Sequence, residues 1–406
     1  LTQDRIGVKA AEESLSLLEK YCSQEEYKGW DPYDGLNSKV FKGLPLLEKS
    51  DLGRLAWIQL FKRNPVNLRR LFLVPKGYNP KGIALLISGY CNLFRYQDLN
   101  GKNQPESGQE LLKIIHNLAD RLVSLRSDTC RHGSAWGYNF DWQARRLFLF
   151  PEGTPTVVVT SFCASALFDA YEVTRREEYL SVALSTADFV MNDLQRTKKE
   201  KGFLFSYSPL NGNNNVYNAS LLGTKLLSQC YHYTKNDFYF AAARESAVAC
   251  TEAQNDDGSW FYGELPLQQW IDSFHTGYNL EALVTYQQMA GDTSFSGSID
   301  KGFDFYLNNF FLPDGTPKYY HNKTYPVDIH SPAQLIVALC RSGKLEQHRE
   351  LADRVLNWTI RHMQDPSGYF YYQKHRLYTN KISYMRWSNA FMFNALSLYL
   401  LHASDK

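Results

Sequence analysis

A glycine turn, a short aromatic run and then a helix of small apolar residues recur five times along this 406-residue chain, and few folds accommodate such a recurrence. The turns sit at Gly133, Gly202, Gly258, Gly315 and Gly368, and the apolar helices that follow are read at residues 161–167, 218–223, 276–283, 330–335 and 389–396. More charged, amphipathic stretches at residues 177–194, 237–252 and 347–363 read as second helices of the same units. The spacing is irregular, roughly 50 to 70 residues, and two helices at such a period mark a helical-hairpin array. The first helix of each pair carries almost no charge and belongs inside; the second shows one polar face and belongs outside. A degenerate unit precedes the five. It has apolar residues at helical spacing at 52–73 and 82–93, then a helix at 110–125, all behind an N-terminal amphipathic segment and a Gly/Pro loop at 29–35. Six hairpins closed into a ring bury every inner helix between neighbours and leave no end to cap. The expectation is an all-α fold, an (α/α)6 toroid spanning residues 1–406 as a single domain, with an open solenoid as the alternative.

Such a ring gathers its turns and the N-terminal ends of its inner helices around one funnel, a natural ligand pocket. Forty-four basic against 42 acidic side chains give a net charge of +2, so no chain-wide field draws nucleic acid or acidic lipid. Seven scattered cysteines without CxxC spacing argue against a disulfide framework and against zinc. The longest apolar run, around Ile83–Ile87, is too short to span a membrane. No phosphate-cradling glycine loop, GxSxG or HExxH occurs. The expectation is a cytoplasmic protein without metal or cofactor, in a chain that begins at Leu1 and not at a methionine. The sequons at Asn218, Asn322 and Asn357 read as chance matches.

The densest polar cluster lies at one inner-helix start, with Asp272, His275, Tyr278 and Asn279. His330 and Gln334 hold the matching positions in the next unit, and Arg386 and Trp387 open the last. A His beside a Tyr supplies an acid–base pair, and an Asn or Arg holds a carboxylate and acidifies the neighbouring C–H. A second cluster, Trp136, Tyr138, Asp141, Trp142 and Arg145, combines aromatic faces for a sugar ring with a cation for a negative group. Trp260 and the loop of Trp30 and Asp31 extend this rim. Paired carboxylates for hydrolysis would come from Asp31 or Asp34 with Asp141 or Asp272. Each feature also has a plain structural reading: Asp272 as an N-cap, residues 136–145 as a packed loop with an internal Asp–Arg pair, and most aromatics as core.

The motifs at residues 136–143 and 270–280 together resemble uncharacterised (α/α)-toroid proteins of bacterial polysaccharide biosynthesis clusters, over most of the chain from Gly29 onward. More distantly, the chain is similar to uronate C5-epimerases, polysaccharide lyases, N-acylglucosamine 2-epimerases and unsaturated-uronyl hydrolases. The resemblance implies a surface-glycan context. Lyases and epimerases of that kind place His, Tyr and Asn or Arg around a uronate, and the 2-epimerases use two inner-helix His, which His275 and His330 mimic. The leading expectation is therefore a uronic-acid epimerase on an oligosaccharide or polysaccharide. His275, Tyr278, Asp272 and His330 would be catalytic, Asn279 and Arg145 would hold the carboxylate, and Trp136, Trp142, Trp260 and Trp387 would form the platform. A glycoside hydrolase or lyase in the same funnel, and a non-catalytic glycan-binding or assembly protein, are the alternatives. An isoprenoid cyclase shares the architecture but lacks its acidic magnesium motif here.

Overall fold

The computed structural model describes residues 3–99, 105–144 and 149–403. Helix α1 (Gln3–Gln24) opens the chain and α2 (Asp51–Arg63) follows in an excursion. Five hairpins then run in order: α3 (Pro80–Leu99) with α4 (Pro105–Ser124), α5 (Val157–Thr174) with α6 (Glu177–Asp188), α7 (Tyr217–Thr234) with α8 (Asp237–Glu252), α9 (Ser273–Ala290) with α10 (Ser296–Asn309), and α11 (His330–Arg341) with α12 (Arg349–Met363). Helix α13 (Phe391–Ala403) ends the described chain. The inner helices α3, α5, α7, α9, α11 and α13 each pack on the next, and α13 packs back on α3, so the ring is closed. This is the (α/α)6 toroid that the repeats predict.

The closure differs from the expected one. The degenerate first unit is present as α3 with α4; the hairpin opened by the last repeat is the one completed by the two ends of the chain, α13 with α1. Helix α1 packs against α13 and α12, in the position of the missing outer helix. The turn glycines explain why. All five have positive φ, between +67° and +105°, and a Cβ at each would sit 2.5 Å or less from a backbone carbonyl oxygen of the next hairpin's outer helix. The partners are Ser185 for Gly133, Glu245 for Gly202, Lys301 for Gly258, Arg354 for Gly315 and, for Gly368, Leu17 of α1. Only a residue without a side chain both adopts that backbone and lets the turn touch the helix. The repeated glycine is thus the contact that stacks each unit on its successor.

The aromatic residue after the turn has a structural task in two units. Trp136 and Trp260 are buried, and their indole N–H groups donate to the carbonyls of Leu122 (2.8 Å) and Cys250 (2.9 Å) near the ends of α4 and α8. Neither forms part of a sugar platform, contrary to expectation. Helix ends follow local chemistry as well. Thr156 caps α5 by accepting from Val159 N–H, and α9 stops at Gly291 with φ +70°. Helix α5 is long and apolar enough to cross a membrane, but it stands in the inner ring with 67% of its length buried. The seven cysteines are free.

The apolar stretch at 52–73 is not a ring helix. From Asp34 to Arg63 the chain leaves the ring as a short turn, two four-residue helices (Lys39–Lys42 and Pro45–Glu48) and α2. This excursion has its own small core of Leu36, Phe41 and Ile58, against which Trp57, Trp142 and Leu149 pack. Period alone says that a segment is helical, not where it docks.

Candidate active site

The N-terminal ends of the six inner helices surround a cavity of about 250 Å3. Lys81 comes from α3, Val158 from α5, Asn218 from α7, His275 and Tyr278 from α9, and His330 from α11. Arg386 and Trp387 come from a π-helical turn, Met385–Ala390, that leads into α13. Leu55, Ile58, Gln59 and Lys62 of α2 line it too, so the excursion forms one wall. Thirteen of the 30 lining residues are aromatic, which makes the walls flat and rigid. Lys62, Lys81 and Arg386 are cationic, and no Asp or Glu lines the cavity among the described residues.

The carboxylates stand one layer behind and hold the lining residues in place. Asp272 caps α9 by accepting from His275 N–H (3.0 Å), and its other oxygen accepts from His275 Nδ1–H (2.7 Å) and Trp270 Nε1–H (2.9 Å). The Asp272 side chain is 0% exposed while that of His275 is 21% exposed, so the imidazole and the Trp270 indole stand between the carboxylate and the cavity. Charge on Asp272 fixes the proton on Nδ1 and leaves Nε2 as an acceptor. Asp31 pairs with both arms of the Arg386 guanidinium, at 2.6 Å from Nε and 2.8 Å from Nη2. Asp328 accepts from Trp387 Nε1–H (2.9 Å), Gln373 Nε2 (2.6 Å) and His330 N–H (3.0 Å). Burial pushes the Asp328 carboxyl up to about 6.

At the base, the Tyr278 hydroxyl donates to His330 Nε2 (2.5 Å), and Lys81 Nζ lies 3.3 Å from the same hydroxyl. Burial, and then the nearby cations Lys81 and Arg386, hold His330 well below the ordinary imidazole range, so it is neutral and accepts this bond. Burial and then Arg386 push Lys81 well below the usual ammonium range, while burial raises Tyr278 well above the usual phenol range. His330 Nδ1, Asn218 Nδ2 and Gln143 Nε2, all on lining residues, lack a protein partner among the described residues. Unpaired buried donors at a cavity wall are groups for a ligand or water to satisfy.

Of the expected site residues, His275, Tyr278, His330, Tyr138, Trp142, Arg386 and Trp387 meet at this cavity. Asp272 and Asp31 lie behind it as the supports of His275 and Arg386. Asn279 is buried off the cavity, because the cavity takes the side of α9 that carries residues 274, 275 and 278. Gln334 is pinned by Glu281 (3.1 Å), itself paired with Lys225 (2.6 Å), beside a separate cavity of about 30 Å3. Trp30 donates to the carbonyl of Val74 (2.9 Å) and Asp141 accepts from Glu152 N–H (2.7 Å); both are away from the cavity. Arg145 lies outside the described residues. Lys81 escaped the sequence reading although it is a lone charge at the start of an apolar helix, which is a readable signal. Trp270, stacked on Tyr262 at 4.4 Å, and Asn218, taken as a chance sequon, also line the cavity.

No protein-family model matches the sequence, and no curated protein matches it significantly. Solved structures are similar in fold. A sugar epimerase from a ruminal bacterium aligns over 82% of this chain and 90% of its own, at 13% identity and a TM-score of 0.60. An unsaturated glucuronyl hydrolase specific for heparin aligns over 98% of this chain and 97% of its own, at 13% identity and a TM-score of 0.61. A family 76 α-mannanase from Bacteroides thetaiotaomicron aligns over 80% and 85%, at 13% identity and a TM-score of 0.56. At these identities the likeness is one of architecture.

Proposed function

We propose that this protein is a carbohydrate-active enzyme that epimerises a uronic acid residue of an oligosaccharide or polysaccharide by proton abstraction and return. The observation that carries the reading is a cationic, aromatic cavity with two anchored histidines and no carboxylate on its described wall. Hydrolysis of a glycosidic bond ordinarily needs two carboxylates flanking that bond, and Asp31, Asp272 and Asp328 are engaged behind the wall. Imidazole and phenol remain as the acid–base groups. The similar folds of a sugar epimerase and a glucuronyl hydrolase fit a sugar substrate.

In this reading the uronate carboxylate binds Arg386 and Lys81, and Trp142 and Trp387 face the ring. A bound carboxylate opposes the burial of Lys81 and favours its ammonium form. His275 Nε2 takes the proton from the carbon next to the carboxylate, and Asp272 stabilises the imidazolium that forms. The C–H electron pair moves into the carboxylate as an enediolate, whose second charge Arg386 and Lys81 offset. The Tyr278 hydroxyl returns a proton to the opposite face, and the Lys81 ammonium beside it stabilises the phenolate. The two active groups then exchange with solvent to reset.

Proton NMR of uronate-containing oligosaccharides in deuterated water tests this directly. Deuterium appears at the carbon next to the carboxylate without chain cleavage, and the signal is lost in His275→Ala. New reducing ends would mean hydrolysis, an unsaturated product would mean elimination, and an unchanged, broadened spectrum would mean binding alone; each would overturn the proposal.

A further inference from the structure

Helix α2 is apolar on two sides. Ile58 and Phe61 are buried beneath it, while Leu52, Ala56 and Leu60, spaced four apart, form an outward stripe that Arg63 continues. A helix in contact with water on its outer side is normally polar there. The exposure extends along the excursion. Nine of the 16 exposed large hydrophobic residues fall between Val40 and Leu73, led by Leu46 at 90% and Leu71 at 72%. The same stretch concentrates charge: residues 39–76 hold nine Lys or Arg against two Asp or Glu, whereas the whole chain carries only +2. Lys39, Lys42, Lys49, Arg63 and Arg70 are all exposed. The even charge balance of the full sequence conceals this local field.

Exposed leucines set among lysines and arginines match the chemistry of an interface between water and an anionic bilayer. The apolar groups enter the acyl boundary and the cations meet the headgroups. A second copy of the chain fits poorly, because a two-fold contact would press this basic surface against itself. We infer that residues 39–73 dock the protein on an anionic lipid surface. The adjacent flank of α2, about a quarter turn from the stripe, carries Leu55, Gln59 and Lys62 on the cavity wall, so docking brings that wall to within about one helix diameter, ~10 Å, of the headgroups.

Flotation of the full chain with vesicles tests this without any sugar, so it stands or falls separately from the catalytic reading. The protein floats with phosphatidylcholine–phosphatidylglycerol vesicles and not with phosphatidylcholine alone, and it is released as salt rises from ~0.1 M to ~1 M. Each basic residue near such a surface is worth about fivefold in binding, so Lys42→Ser with Lys49→Ser lowers it about 30-fold. Leu46→Ser with Leu52→Ser lowers it as well, and circular dichroism of both variants matches the parent because all four residues are exposed. Absence of flotation with anionic vesicles, or binding that neither variant weakens, overturns the inference. So does a dimer, or a complex with an acidic protein, that the leucine variant dissolves.

Discussion

Asp272→Asn isolates what a carboxylate does that an amide of the same shape does not. In the parent, one oxygen accepts from the His275 backbone N–H at 3.0 Å and the other from His275 Nδ1 at 2.7 Å and Trp270 Nε1 at 2.9 Å. Asparagine keeps a single acceptor. If its oxygen faces the rings, its amino group opposes the backbone N–H and the helix cap is lost, at a cost of about 0.5–2 kcal/mol. If its oxygen faces the backbone, the amino group opposes Trp270 N–H and His275 Nδ1, leaving a buried donor unsatisfied at about 1–3 kcal/mol. In that second arrangement Nδ1 becomes an acceptor and the ring proton moves to Nε2, the nitrogen assigned as base. The expected result is therefore a modest loss of stability, on the order of 1–3 kcal/mol, with a loss of turnover of about 10²–10⁴. Long-range proton–nitrogen NMR of the histidine rings reads the tautomer without a substrate. His275 carries its proton on Nδ1 in the parent and shifts toward Nε2 in the variant. A parent ring already protonated at Nε2, or a variant that keeps the Nδ1 proton and full turnover, would refute the reasoning.

Gly368→Ala adds a left-handed penalty of roughly 1–2 kcal/mol and a collision with Leu17 worth roughly 1–3 kcal/mol more. Gly291→Ala, with nothing within 4 Å, suffers only the first; urea unfolding that gives equal losses would remove the ring-closing role. Asp31→Ala leaves the Arg386 guanidinium buried without its partner and should cost about 3–5 kcal/mol, so a loss under ~1 kcal/mol by the same assay would contradict the pairing. Asp328 has a carboxyl raised from 3.8 to about 6, so the folded state binds its proton more tightly than the unfolded chain does. Its stabilising contribution is complete below pH 3.8 and is lost as pH rises through about 6, on the order of 3 kcal/mol in all. Asp328→Asn lacks this contribution, so the stability of the parent relative to the variant grows as pH falls from 7 to about 4; parallel stability curves would refute it.

Sequence carried the fold well because its signals are local. A glycine at positive φ, a small-residue helix and a charged partner each declare themselves within a few residues, and repetition makes them legible as a ring. His275, Tyr278, His330, Arg386 and Trp387 could be read because inner-helix starts converge in such a ring. Trp136 and Trp260 were misread for a related reason: they follow the same turns, but their indoles anchor the preceding helix, which no local pattern distinguishes from a ligand platform. Lys81 was overlooked because its unit lacks the glycine–aromatic turn that drew attention to the others.

What the sequence determined by itself is the array of hairpins, the inward helices and the end at which their polar starts collect. Tertiary structure alone decided which side of the cavity wall each charge occupies. Asp31 and Arg386 are 355 positions apart and meet only when the chain's two ends close the ring. That meeting places the carboxylates behind the wall and the guanidinium and imidazoles in front. A buried charge takes its role from the partner that folding brings to it, and spacing along the chain cannot specify that partner.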